Sequence, residues 1–189
     1  MIKQELKLDR SWTLFLDRDG VLNKNRSDGG VKCVGDFVWE DGALESMRIL
    51  NDLFGRIIVV TNQQAVSEGL ITEAELNLIH QKMIKDVSDA GGKIDMVYYA
   101  TNRKEENSIY RKPGIGMALK ARKDFPEIRF KKSFMVGDTV NDMMFGKKLG
   151  MINALISNEY SNLTQQFGLV NYHFDSLKCF ADFLKRICN

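Results

Sequence analysis

Short apolar runs alternate with stretches of helical period along nearly the whole chain, and this alternation restricts the fold more than any other feature. The run Trp12-Thr-Leu-Phe-Leu16 stops at Asp17. The β-branched Arg56-Ile-Ile-Val-Val60 lies between Gly55 and the polar Thr61-Asn-Gln-Gln64. Both read as buried strands, with further strands expected at 94–100, 133–136, 152–156 and 172–174. Residues 42–54 place Ala43, Leu44, Met47, Leu50 and Phe54 on one helical face, with Gly55 as the stop. Thr72 and Glu75 form a capping box for a helix carrying Leu76, Ile79, Met83 and Val87, ended by Gly91-Gly92. Pro113 is expected in the first turn of a helix through Met117, Ala118 and Ala121, with other helices at 141–149 and 176–186. Strands alternating with helices predict βαβ units: an α/β fold with a mostly parallel sheet and helices on both faces.

Composition narrows the partners. A chain of 189 residues is expected to form one domain over 1–189, large enough to bury a core without disulfides. Lys and Arg number 27 against 25 acids, a net charge of +2, which argues against a polybasic nucleic-acid binder. The cations Arg103, Lys104, Arg111, Lys131 and Lys132 are too sparse for a nucleic-acid groove, and most of them read as solvated surface. No apolar run is long enough to span a membrane, and the first ten residues alternate charged and apolar side chains without a leader's apolar stretch. Cys33, Cys179 and Cys188 are scattered, without Cys-x-x-Cys spacing, and read as reduced thiols. A cytoplasmic protein is the expectation.

In an open parallel sheet, ligands bind outside the carboxyl ends of the strands. Polar residues gather at those ends: Asp17 and Asp19 after the first, Thr61 and Asn62 after the second, Lys112 beyond the third, Asp138 and Asp142 after the fourth. Buried without partners, such carboxylates would cost several kcal/mol each, so convergence on one site with a divalent cation is the cheaper arrangement. Mg²⁺ suits an all-oxygen set. A carboxylate with a free oxygen can attack phosphorus to give an acyl-phosphate, and an acid two residues along can pass the protons. That acid needs a proton for the first half-reaction, so the Asp19 pKa is expected above its free value of about 3.9. Lys112 and Thr61, with nearby backbone amides, would hold the phosphoryl oxygens. The loops 24–39 and 101–110 are long for connections in an α/β domain, which marks them as functional.

Four segments carry a resemblance: Phe15-Leu-Asp-Arg-Asp-Gly-Val-Leu-Asn23, Val59-Val-Thr-Asn-Gln63, Arg111-Lys-Pro113 and Met135-Val-Gly-Asp-Thr-Val-Asn-Asp-Met143. In this order they resemble the motifs of the haloacid dehalogenase superfamily of phosphohydrolases. Their wording is most similar to the branch of the histidinol-phosphate and D-glycero-D-manno-heptose 1,7-bisphosphate phosphatases. Ser67-Glu-Gly69 and the helix with His80 resemble that branch too. The resemblance implies a Rossmann-like sheet without a large cap domain, and a small phosphorylated metabolite as substrate, first among them a heptose 1,7-bisphosphate. It implies Asp17 as nucleophile and Mg²⁺ ligand, and Asp19 as general acid/base that ligates Mg²⁺ through its carbonyl. Thr61 and Lys112 would bind the phosphoryl group, with Asn62 and Arg111 nearby. Asp138 would ligate Mg²⁺ and Asp142 would support the site from behind. Members of the branch commonly carry a Cys/His zinc loop before Arg-Lys-Pro. Here that stretch, 98–111, contains neither Cys nor His, so no zinc is expected, and Thr139 stands where the heptose enzymes often have Lys.

Three readings remain open on the residues: a sugar-phosphate phosphatase, a histidinol-phosphate phosphatase, and a non-hydrolytic phosphate-binding or phospho-acceptor signalling module. In receiver modules the acidic pair precedes the phosphorylated aspartate by a strand or more, whereas here the candidate nucleophile belongs to the Asp-x-Asp itself.

Overall fold

Thr13–Leu16 (β1) is apolar on both faces because it lies in the middle of the sheet, buried at every residue. In the computed structural model, which describes residues 7–26, 30–157 and 168–188, β1 pairs in parallel with Arg56–Asn62 (β2) and Ser133–Gly137 (β4). With Met96–Ala100 (β3), Ile152–Ile156 (β5) and Tyr172–Phe174 (β6), the described residues form one parallel sheet ordered β3-β2-β1-β4-β5-β6. Leu16 stands opposite Val59 on one side and Val136 on the other, so the three central strands run in parallel toward one edge of the sheet.

The register also sorts the core. Leu14, Leu16, Ile57, Val59, Phe134 and Val136 point to one face, covered by α1 (Ala43–Leu53), α2 (Glu73–Asp89) and α5 (Leu177–Cys188). Phe15, Ile58, Val60 and Met135 point to the other, covered by α3 (Gly116–Asp124) and α4 (Val140–Leu149). Each buried Leu, Ile, Phe or Met contributes about 1.5–3 kcal/mol. The α/β sheet with helices on both faces is as expected from the alternation of elements.

α1 ends at Leu53 with Phe54 as its C-cap, so the helix stops just before Gly55 as expected, and Gly55 is further needed for space: a Cβ there would lie 1.8 Å from the carbonyl oxygen of Arg10. Two local readings are corrected. Thr61 and Asn62 are the last residues of β2 rather than a turn after it, because Thr61 and Asn62 pair with Tyr99 and Ala100 of β3. Pro113 precedes α3 instead of opening it: Gly114 donates to Arg111 O and Gly116 to Ile109 O, so a tight turn separates Lys112 from the helix. The Thr72–Glu75 capping box is present, with Leu76, Ile79, Met83 and Val87 buried.

Loop 24–39 is closed at its neck as a hairpin, with Lys24 N bonded to Val38 O and Glu40 N to Leu22 O. Loop 101–110 contains one turn of 3₁₀ helix, Lys104–Glu106, and Arg103 ties it to Ser67 O. All three cysteines are free thiols. Among the described residues no helix is long and apolar enough to cross a membrane.

Candidate active site

β1 and β4 end side by side, with Asp17 N bonded to Val136 O, and this places Asp17 and Asp138 at one sheet edge. Asp17 is buried, 8% exposed; its Oδ1 accepts from Arg18 N at 2.7 Å and lies 2.8 Å from Lys112 Nζ. Lys112 Nζ is also 2.5 Å from Asp142 Oδ1. The lysine reaches inward because Asn62 grips its backbone: Lys112 N donates to Asn62 Oδ1 at 2.9 Å, and Asn62 Nδ2 to Lys112 O at 3.1 Å. Thr139 caps α4 in a box with Asp142, whose Oδ2 accepts from the Thr139 amide and hydroxyl. Both oxygens of Asp142 are thereby committed, one to the helix cap and one to the lysine.

Ligand oxygens of Asp17, Asp138 and Asp142 lie within 4.8 Å of one another. Asp138 Oδ1 is buried without a hydrogen-bond partner, while its Oδ2 accepts from Asn25 Nδ2 at 3.0 Å. Burial and the neighbouring Asp142 charge push the Asp17 pKa up to about 8, against the pull of Lys112, and push Asp138 up to about 7. For Lys112, burial favours the neutral amine, but Asp142 and Asp17 outweigh it and raise its pKa, so it stays a cation. With its three acids ionised, the cluster would hold more negative charge than one lysine neutralises, which is why burial and mutual repulsion push the Asp17 and Asp138 pKa values up. An unpartnered buried oxygen and crowded carboxylates fit a hard divalent cation, which Asp17 and Asp138 could hold through their side chains.

Asp19 is placed differently from its neighbour. The chain makes one helical turn after Asp17, with Leu22 and Asn23 both donating to Arg18 O, and Gly20 at φ +75. Asp19 faces Arg18 Nη2 at 2.8 and 3.0 Å, Asn23 Nδ2 at 2.9 Å and Gln63 Nε2 at 2.8 Å. Burial alone would raise its pKa, but the Arg18 charge and these donors together hold it below the ordinary carboxylate value. The expectation of a raised Asp19 pKa is therefore corrected: the side chain is presented ionised.

The structure thus brings Asp17, Asp138, Asp142 and Lys112 together directly. Thr61, fully buried, joins through Gln63, whose Nε2 also donates to Thr61 Oγ1 at 2.8 Å. Arg111 stands at the rim, half-buried and bonded to Asn102 O. Asn62 spends its side chain on Lys112. Gln63, Arg18 and Asn23 were not singled out from the sequence. All three lie inside the motif segments, and only their burial reveals that they serve the aspartates.

The sequence profile of the polynucleotide kinase 3 phosphatase family matches residues 13–175. A D-glycero-beta-D-manno-heptose-1,7-bisphosphate 7-phosphatase of Vibrio cholerae serotype O1 is 31% identical over 182 residues, covering 92% of this chain and 96% of that one. The chain belongs to the D,D-heptose 1,7-bisphosphate phosphatase family of the haloacid dehalogenase superfamily. The D-glycero-alpha-D-manno-heptose-1,7-bisphosphate 7-phosphatase of Mycobacterium tuberculosis is 29% identical, covering 90% of each chain. Among solved structures, a D,D-heptose 1,7-bisphosphate phosphatase from B. bronchiseptica, complexed with magnesium and phosphate, superposes with a TM-score of 0.82 at 26% identity. That match covers 93% of this chain and 98% of the other. This family member is accordingly a phosphatase.

Proposed function

We propose that the protein hydrolyses a sugar phosphate, with a heptose 1,7-bisphosphate as the best substrate, through an aspartyl-phosphate on Asp17. The observation that carries this reading is the buried Asp17 carboxylate, 2.8 Å from Lys112 and beside a cluster that calls for a divalent cation. Asp17 and Asp138 would hold Mg²⁺, joined by the Asp19 carbonyl as the family resemblance implies. Bound there, the cation would neutralise the acidic cluster and the phosphoryl oxygens.

A free Asp17 oxygen attacks phosphorus and the ester oxygen departs, taking a proton from Asp19. In the second half Asp19 takes a proton from water, the resulting hydroxide displaces the Asp17 carboxylate from phosphorus, and phosphate leaves. The ionised Asp19 is set for the second half. An incoming phosphate dianion raises its pKa by like-charge repulsion and so supplies the acid form for the first. Lys112 and Thr61 would steady the phosphoryl oxygens, Asn62 and Asp142 would hold Lys112 in place, and Arg111 would meet the substrate at the rim.

A cavity of about 440 Å³ next to Lys112 supports a doubly charged substrate. Lys104, Arg111 and Lys148 line it, with Ser108 and Asn141, and a second phosphate is the group that three such cations suit. Histidinol phosphate would bring its ammonium toward those same cations.

Phosphate release with Mg²⁺ is to be measured for a heptose 1,7-bisphosphate, a sugar monophosphate, histidinol phosphate and an aryl phosphate. The bisphosphate should give the highest kcat/KM, and Lys104→Ala should raise KM for it alone. Asp17→Asn should be inactive while folded. Turnover by Asp17→Asn would overturn the covalent route, and a preference for histidinol phosphate would overturn the substrate.

A further inference from the structure

Arg18 sits between the two aspartates in sequence, and its side chain is wholly shielded from solvent. Nη2 donates to both Asp19 oxygens, and Nη1 lies 3.3 Å from Nε2 of His80. Asn23 and Gln63 each reach one Asp19 oxygen, whereas Arg18 spans both. A guanidinium offers only donors and stays charged in proteins. The His80 nitrogen facing it must therefore be the lone-pair side, with the ring proton on Nδ1.

The setting of His80 agrees with a neutral ring. It lies on the buried side of α2, 4% exposed, with its ring 5.4 Å from that of Tyr99. The charged groups acting on it are Arg18, which disfavours a second cation, and Asp19, which favours one more weakly; the Tyr99 hydroxyl is turned to Glu73 and Asn77. Burial and the Arg18 charge push its pKa down to about 3. Nothing in the acyl-phosphate chemistry uses this buried imidazole.

We propose that His80 is a positioning residue: by accepting from Arg18 it fixes the guanidinium, which in turn fixes the plane of the Asp19 carboxylate. The proposal rests on the phosphatase reading above. Arg18 is flanked in sequence by two acids, and without a second anchor its guanidinium is free to leave Asp19 for Asp17. Proton transfer depends on that orientation, because a small misplacement of a reacting group is costly.

The test compares His80→Leu, which fills the space without an acceptor, with His80→Gln, which keeps one. Both are assayed on an aryl phosphate with Mg²⁺, with circular dichroism as the check on folding. His80→Leu should lower kcat about 10- to 100-fold with KM changed less than about threefold, and His80→Gln should recover most of the loss. Wild-type kcat in His80→Leu, or equal impairment in both variants, overturns the proposal. Nitrogen NMR of the wild-type ring at about pH 5 gives a readout independent of turnover and of variant folding. Nδ1 should be protonated and Nε2 bare; an imidazolium or a protonated Nε2 overturns the proposal whatever the activity. A wild type that hydrolyses no ester, with the Nδ1 tautomer in place, overturns the phosphatase reading instead.

Discussion

Lys112 Nζ stands 2.8 Å from Asp17 Oδ1, and both side chains are almost wholly shielded from water. The same ammonium is shared with Asp142, so one cation offsets two buried anions. Removing one partner of a buried ion pair leaves an uncompensated charge, at a cost of about 3–5 kcal/mol. Above about pH 8, where Asp17 is ionised, Lys112→Met should therefore destabilise the metal-free protein by about that amount, and it should abolish turnover. Urea denaturation in EDTA is the measurement, and a loss below about 1 kcal/mol would mean that the acids are already protonated.

Gly20 makes room for Asp138. A Cβ at this left-handed residue would lie 2.1 Å from Asp138 Oδ2, so Gly20→Ala must displace the carboxylate proposed to hold Mg²⁺. The midpoint for Mg²⁺ activation should rise by about tenfold or more. Mg²⁺ should also raise the Tm of the wild type by mass action, and raise it less in the variant. Calorimetric titration and thermal melts check both outcomes.

Thr139→Ala removes the N-cap of α4, a loss of about 1 kcal/mol. It also removes one of the two donors to Asp142 Oδ2, leaving only the backbone amide of residue 139, so the carboxylate is held less firmly toward Lys112 and kcat should fall. Thr139→Ser keeps the hydroxyl and should restore both properties. Recovery of stability without recovery of kcat would break the link between cap and lysine.

His80 predicts a pH dependence. Its folded pKa is depressed to about 3, whereas the unfolded ring titrates near 6.5. Below about pH 6.5 the unfolded chain takes up a proton that the folded chain refuses, so stability falls as pH falls toward about 3. The stability difference between wild type and His80→Leu should shift against the wild type by about 1.4 kcal/mol per pH unit in that window. Denaturation curves at several pH values test this, and parallel pH profiles would refute it.

The loop before Lys112 should carry no zinc, because residues 98–111 offer neither thiolate nor imidazole. Elemental analysis of the purified protein decides the point: a stoichiometric zinc lost on altering this loop would contradict it.

The alternation of β-branched runs with helical stretches was enough to read the parallel sheet, and the Thr72–Glu75 box and the buried face of α2 stand where their local pattern puts them. Pro113 departs from its local rule. It does not open α3, because Asn62, remote in sequence, grips the backbone of Lys112 and a tight turn intervenes before the helix. Gln63 and Arg18 carry no signal of their own in the sequence, because a long polar or charged side chain, even inside a motif segment, is ordinarily solvated.

Sequence alone determined that Asp17, Asp19, Thr61, Lys112 and Asp138 lie at or beyond the carboxyl ends of strands, since strand periodicity and the polar stop after each apolar run are properties of short segments. Tertiary structure alone decided how charge is distributed among them. Lys112 serves Asp17 and Asp142, while Arg18 holds Asp19 ionised against His80, 62 residues away. Such pairings depend on burial and on contacts between remote parts of the chain, and the two aspartates of one Asp-x-Asp, alike in sequence, are driven to opposite pKa shifts.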